Sequence, residues 1–143
     1  MMQYVIKDNA AVIRLDRGEE LIASLLEFAQ KEGITCAQVG GIGASDDFSV
    51  GLFDFDTKTC VGTDFRQSAE ITSICGNLSV KDGKPYAHLH ANFGLQGGSV
   101  VGGHLTKAVI SVTCELFVTF FDIVVERKYD QNIGINLMEF NKK

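Results

Sequence analysis

The three histidines of the chain, His88, His90 and His104, lie within seventeen consecutive residues. His88 and His90 are two positions apart in a strand-like run, residues 86–95, so both rings are expected on one face. A turn at residues 96–98 would bring His104 to that face if the flanking segments pair. Three neutral imidazoles with a fourth position left for water form the usual open zinc site, where bound water can become a hydroxide nucleophile. The alternative is that the three histidines are hydrogen-bonded polar residues of a sheet with no ligand.

Three further polar residues could serve such a site. Glu115 is the single charged residue within residues 109–121. It could orient a metal-bound histidine through the ring N–H or act as a general base, or it could be a carboxylate that faces solvent. Glu70, at the start of another strand-like run, has the same alternatives. Asn92 lies on the histidine face and could contact a ligand or cap an edge.

The glycine-rich segment at residues 40–47 follows a strand-like run. It lacks the third glycine of a dinucleotide-binding fingerprint, and no helix follows it. Asp46 and Asp47 would also repel phosphate. The segment therefore predicts a turn with a close approach of the backbone.

The four cysteines are widely spaced, and none belongs to a C-x-x-C pair. This spacing does not favour a thiolate zinc site or a redox dithiol. We expect Cys36, Cys75 and Cys114 to be reduced core residues because they lie in apolar runs. Cys60 lies nearer a turn and is expected to be exposed.

Length and composition favour one globular domain over residues 1–143, with 45% apolar residues and a formal net charge of −5. No apolar run is long enough to span a membrane, and the first residues lack the features of a signal peptide, so we expect a cytoplasmic protein. Nucleic-acid binding depends on Lys and Arg that neutralise phosphates. The densest basic segments, residues 126–128 and 141–143, are short, so nucleic acid is not the favoured partner.

One helix and many strands are predicted. An Asp cap at Asp16, followed three residues later by Glu19, predicts the helix start, and Gly33 predicts its end. Asp82-Gly83 predicts a tight hairpin. The strand-like runs are residues 10–15, 34–39, 48–55, 69–80, 86–95, 99–105, 109–121, 123–128 and 136–140.

This order of elements predicts an α+β fold, in which one principal helix packs on a mainly antiparallel sheet. Residues 112–125 are apolar on both faces over much of their length. A strand of this kind is expected to be covered on both sides, and a subunit partner is one cover that a small domain could use.

Several short motifs together resemble the prokaryotic form of the PPC (plants and prokaryotes conserved) domain, from about residue 11 to about residue 124. The most specific are His88-Leu89-His90-Ala91 and Gly102-Gly103-His104-Leu105. The others are residues 17–20, 41–44, 70–78, 82–86 and 112–116.

The resemblance implies an α+β fold with one helix on an antiparallel sheet, and a homotrimer. It also implies that the histidines gather near the subunit boundary, where some members of the family hold a metal. Carried over to this chain, the candidate ligands are His88, His90 and His104. Plant members carry a basic AT-hook before the domain, and this sequence contains no Arg-Gly-Arg-Pro core.

Three hypotheses about function remain open. The first is a trimeric binding or regulatory module, whose histidines hold a metal such as zinc or a small ligand. The second is a metal-dependent hydrolase or lyase, with Glu115 as the base or orienting group. The third is a DNA-associated protein, which the family association suggests and the acidic charge disfavours.

Overall fold

The computed structural model of the protein describes residues 1–140, so the basic tail at residues 141–143 lies outside the described residues. Within that range the fold is mainly β with a single helix, α1 (Leu21–Glu32). The strands are β1 (Gln3–Lys7), β2 (Ala10–Asp16), β3 (Ala37–Asp54), β4 (Thr59–Phe65), β5 (Ala69–Lys81), β6 (Lys84–Gly94), β7 (Val100–Phe120), β8 (Glu126–Asp130) and β9 (Ile135–Glu139).

The strands form one sheet in the order β1-β2-β7-β3-β5-β8-β9, with β4 paired to β3. β6 pairs with both β5 and β7, and β3 also pairs with both of these strands, so β3, β5, β6 and β7 form a closed ring. The pairings are antiparallel, except for a short parallel contact of β8 with β5. The expected mainly antiparallel sheet with one helix is therefore observed.

The core lies between the inner face of the strands and α1, which contacts β6 and β7. The buried face of the helix includes Leu21, Leu25 and Phe28. Phe48 of β3 and Phe93 of β6 stack inside the ring with centroids 3.8 Å apart. Burial of each such apolar side chain stabilises the fold by about 1.5–3 kcal/mol. No helix in the described part of the chain is long and apolar enough to cross a membrane.

The predicted start of the helix is wrong, because β2 extends to Asp16 and pairs there with β7. The helix cap is instead Glu20, whose carboxylate accepts hydrogen bonds from the backbone N–H groups of Ala23 and Ala108. Glu19 accepts a hydrogen bond from the N–H of Asp16. The predicted end is confirmed, since Gly33 adopts a left-handed conformation with φ of 66°.

The composition of the glycine-rich segment predicted a turn, and this prediction is wrong. The segment continues through the middle of β3, with a bulge between Gly41 and Gly43. A Cβ at Gly43 would lie 2.7 Å from the Thr113 carbonyl oxygen on β7. The glycines therefore permit a close approach of the two strands. The runs predicted as separate strands on either side form one strand, and residues 99–105 and 109–121 likewise merge into β7.

Two of the cysteine predictions hold, since Cys114 is buried and Cys60 is exposed. Burial, together with the nearby Glu115, raises the pKa of Cys114 to about 12. Cys36 is partly buried, and burial raises its pKa. Cys75 is exposed rather than part of the core, because strand pairing places it on the outward face opposite His90.

Among residues 1–140, the apolar run in β7 is covered on one face alone. Leu116 and Val118 are buried, whereas Val112 and Phe117 are 69% and 61% exposed. Phe117 pairs with Val12, which pairs with Val5, and all three side chains are exposed. The described part of one chain therefore does not supply the predicted cover on both sides, and an exposed apolar row crosses β1, β2 and β7.

Candidate metal centre

Two histidines are placed by the hairpin of β5 and β6. Its turn residues Asp82 and Gly83 both have positive φ, 52° and 74°, as the tightest hairpin turns require. In the resulting register His88 lies opposite Asn77, and His90 lies opposite Cys75. Side chains alternate along a strand, so these four point away from the core, while Leu89 between the two histidines and Leu78 next to Asn77 are buried.

The third histidine reaches the same face through the next hairpin, in which His104 of β7 pairs directly with His90. The preceding glycines make this approach sterically feasible. A Cβ at Gly103 would lie 2.6 Å from the Gly51 carbonyl oxygen of β3, and one at Gly102 would collide with Asn92. Because no side chain intervenes, β7 can lie close to both neighbouring strands.

The three imidazoles form a nearly equilateral group within one chain. Their ring centroids are 5.3 Å apart for His88 and His90, 5.2 Å for His88 and His104, and 5.5 Å for His90 and His104. One ligand nitrogen from each ring lies within 4.8 Å of those of the other two. Nitrogens about 2.0–2.1 Å from a common zinc ion are roughly 3.3 Å apart in tetrahedral geometry, so a small closure of the side chains would complete such a site.

The protonation state also suits metal binding. Burial, together with the nearby His104, Arg127 and His90, lowers the pKa of His88 to about 4. Burial, and then His90, lowers the pKa of His104. Both rings are therefore neutral at physiological pH, which is the form that ligates metal. His90 is exposed, so the group is open to solvent.

The structure places Glu115 away from the histidines. In the described part of the chain, the group of potential metal ligands consists of the three histidines alone. Glu115 lies eleven residues beyond His104 on β7, opposite Ile42 and Arg14. Within one chain, therefore, it does not contact the cluster as a base or orienting group.

The other two polar candidates also have defined places. Glu70 and Glu115 both line a separate pocket of about 480 Å³, together with Thr113, whose buried hydroxyl has no hydrogen-bond partner among the described residues. Asn92 lies on β6 two residues after His90, opposite Ser73 of β5. Its side-chain amide donates a hydrogen bond to the Ser73 hydroxyl at 2.9 Å.

Sequence reasoning missed Arg127, which was assigned to a basic surface segment. Arg127 is 8% exposed. Its guanidinium lies over the Tyr86 ring, and the guanidinium carbon is 4.9 Å from the ring centroid. Arg127 donates hydrogen bonds to the Ser79 hydroxyl at 2.7 Å, and to the Asn77 side-chain oxygen and the Asn136 carbonyl oxygen at 2.8 Å each.

Residues 2–122 match the family profile of the Plants and Prokaryotes Conserved (PCC) domain. The chain belongs to this family, as the motifs around the histidines had predicted. No curated protein matches the sequence at a significant level.

Solved structures show the same fold over almost the whole chain. A plant- and prokaryote-conserved protein from Pyrococcus horikoshii is 32% identical, with 100% of this chain and 97% of that chain covered and a TM-score of 0.87. A metal-containing protein from Archaeoglobus fulgidus is 33% identical, with 98% and 99% covered and a TM-score of 0.86. A candidate DNA-binding protein from Bacteroides thetaiotaomicron is 28% identical, with 98% of each chain covered and a TM-score of 0.94.

Proposed function

We propose that this protein is a binding module of the family that holds one divalent metal ion, such as zinc, through His88, His90 and His104. The observation that carries the proposal is the convergence of three ligand nitrogens within 4.8 Å. Imidazole suits Zn, Cu, Fe and Ni alike. Similarity to the metal-containing Archaeoglobus protein, at 33% identity, supports the same assignment. Three protein ligands leave a coordination position for water or a small ligand.

Elemental analysis of the purified protein tests this proposal. We expect about one metal ion per chain, and its loss in a His88→Ala, His90→Ala double variant. Cys75→Ser is the matched control, because Cys75 lies opposite His90 on the same exposed face but outside the cluster. A parent protein without metal, even after zinc is added and the excess removed, would reject the proposal.

We also propose that the chain forms a homotrimer. The exposed apolar row of Val5, Val12 and Phe117 supports self-association, because exposed apolar patches of this kind commonly mark interaction surfaces. Other copies of the chain would supply the cover that the two-sided apolar pattern of β7 predicts.

A metal-dependent hydrolase or lyase is the second candidate. The open coordination position and the exposure of His90 favour it, since a substrate could reach the metal. Such an enzyme also needs a general base, and no carboxylate among residues 1–140 joins the histidine group. The binding role therefore has the stronger support.

Similarity to the Bacteroides protein raises DNA binding as a third candidate. The net charge of −5 opposes it, and the burial of Arg127 removes a cation from the densest basic segment within the described range. A gel shift with duplex DNA at low salt would decide the matter. Salt-sensitive binding would favour this candidate over a purely metal-binding role.

A further inference from the structure

Arg127 is a buried cation without an anionic partner among the described residues. The ion pairs of residues 1–140 involve other groups, and the three acceptors that Arg127 contacts are all neutral. A buried charge is costly unless it is paired as well as hydrogen-bonded. A guanidinium has five N–H donors, and three are used here, so two remain for another acceptor.

The guanidinium lies next to the histidines. Arg127 donates a hydrogen bond to the side chain of Asn77. Asn77 lies on β5 directly opposite His88 on β6, so the guanidinium is held beside the histidine group. Paired residues of this kind have Cβ atoms about 4.5–5.5 Å apart.

A metal ion at the histidines would leave this region strongly positive. The three neutral imidazoles contribute no charge, so the two charges of a divalent ion would add to the one on Arg127. Among residues 1–140, no carboxylate belongs to the histidine group and none forms an ion pair with Arg127. Charges of like sign in a partly buried region repel strongly, and a bound anion would relieve that repulsion.

A second unsatisfied group lies beside the guanidinium. The side-chain oxygen of Asn136 is buried without a hydrogen-bond partner in the described structure. The carbonyl oxygen of the same residue accepts from Arg127, and its amide nitrogen lies 3.5 Å from the Tyr86 hydroxyl. Buried polar atoms are usually paired, so this acceptor indicates a place for a hydrogen-bond donor, such as an ordered water that bridges it to a ligand.

We propose that Arg127 forms an anion subsite beside the histidines, so that the ligand at the open metal position is a small oxyanion, either a carboxylate or a phosphate. The inference rests on the proposed metal site and specifies the chemistry of its ligand. Arginine suits both classes because its planar donors match carboxylate and phosphate oxygens. One oxygen would face the metal, and the anionic group would accept hydrogen bonds from the free N–H groups of Arg127.

The test uses the full chain loaded with cobalt(II), whose visible spectrum reports a change in coordination. Acetate and inorganic phosphate are titrated separately at constant ionic strength, and the two titrations distinguish the carboxylate from the phosphate class. We expect a saturable spectral change in the parent protein. Arg127→Met, which keeps an apolar stem but removes the charge, should weaken that binding by about tenfold or more while the metal content stays the same. Lys128→Met is the matched control, because it removes a neighbouring exposed cation.

Arg127→Lys is the second variant if Arg127→Met does not fold, since it keeps the charge but loses the planar donors. It should also bind the preferred anion more weakly than the parent. Parent-like affinity in either folded variant, or no response of the metal-loaded parent to either anion, would overturn the subsite alone. A parent protein that holds no metal would overturn both this inference and the proposed metal site. A purely structural role for Arg127 would change stability and leave anion affinity unaltered.

Discussion

His90 and His104 lie directly opposite each other on β6 and β7, with ring centroids 5.5 Å apart. This pairing joins two consecutive hairpins, the one closed at Asp82-Gly83 and the one closed at residues 96–98. Each hairpin fixes a register, and a slip of one residue in either would turn its side chains to the opposite face. The histidine group is therefore a direct consequence of strand pairing rather than of loop conformation.

We predict that His104→Ala lowers zinc affinity by at least about a hundredfold, more than the loss of an outer supporting group would cause. The physical reason is that one of three nitrogen donors disappears. Competition with a chromophoric chelator measures the affinity. Cys75→Ser should bind zinc as the parent does. Equal affinity in His104→Ala and the parent would exclude His104 as a ligand.

The stability of the metal-free protein should fall as the pH decreases from about 6.5 to about 4. Burial, together with nearby His104, Arg127 and His90, lowers the pKa of His88 from 6.5 to about 4. Over this range the unfolded chain therefore binds a proton that the folded chain does not. Stability therefore rises with pH through this window. Urea unfolding of the metal-free parent at several pH values measures the effect, with His88→Gln as the variant that lacks this titration. An equally steep pH dependence in His88→Gln would show that other groups cause it.

We predict that Gly76→Ala destabilises the fold by about 1–3 kcal/mol, the usual cost of overpacking, and also weakens zinc binding. A Cβ at Gly76 would collide with the His88 carbonyl oxygen and lie 2.8 Å from the Leu89 Cα. The hairpin that positions His88 would have to shift. Urea unfolding and chelator competition measure the two effects. Gly40→Ala is the control, because its Cβ would meet no atom closer than 3.8 Å. A stable Gly76→Ala protein with unchanged zinc affinity would contradict the close approach.

The apolar row predicts the state of association. Light scattering should give the parent three times the chain mass of 15.6 kDa, and Phe117→Glu should shift the mass towards that of one chain because it places a charge in the contact. Val61→Glu alters an exposed apolar residue on β4, outside the row, and should leave the mass unchanged. A parent mass near 15.6 kDa would reject the trimer.

Much of the site could be predicted from sequence because it depends on local rules. The alternation of His88 and His90 follows from strand periodicity, and the turns at Asp82-Gly83 and residues 96–98 follow from turn composition. Their convergence with His104 needed no information on distant parts of the chain. The family motifs predicted the same three residues.

The features that sequence reasoning missed depend on contacts between distant segments. The glycines of β3 have the composition of a turn, and their position inside a strand is explained by the pairing of β3 with β7. Arg127 looks like a surface cation, and its burial depends on acceptors about fifty residues earlier in β5. The cap at Glu20 likewise depends on Ala108 of β7. None of these contacts has a signature in the neighbouring sequence.

X-ray absorption at the metal edge of the zinc-loaded protein is the decisive test of the three-histidine site, because it identifies the ligand atoms. We expect imidazole nitrogens at about 2.0–2.1 Å, contributed by three histidines, with an oxygen ligand in the remaining position. In the His88→Ala, His90→Ala variant this pattern should be lost. A sulfur ligand at about 2.3 Å, or a parent protein that retains no zinc, would contradict the three-histidine site.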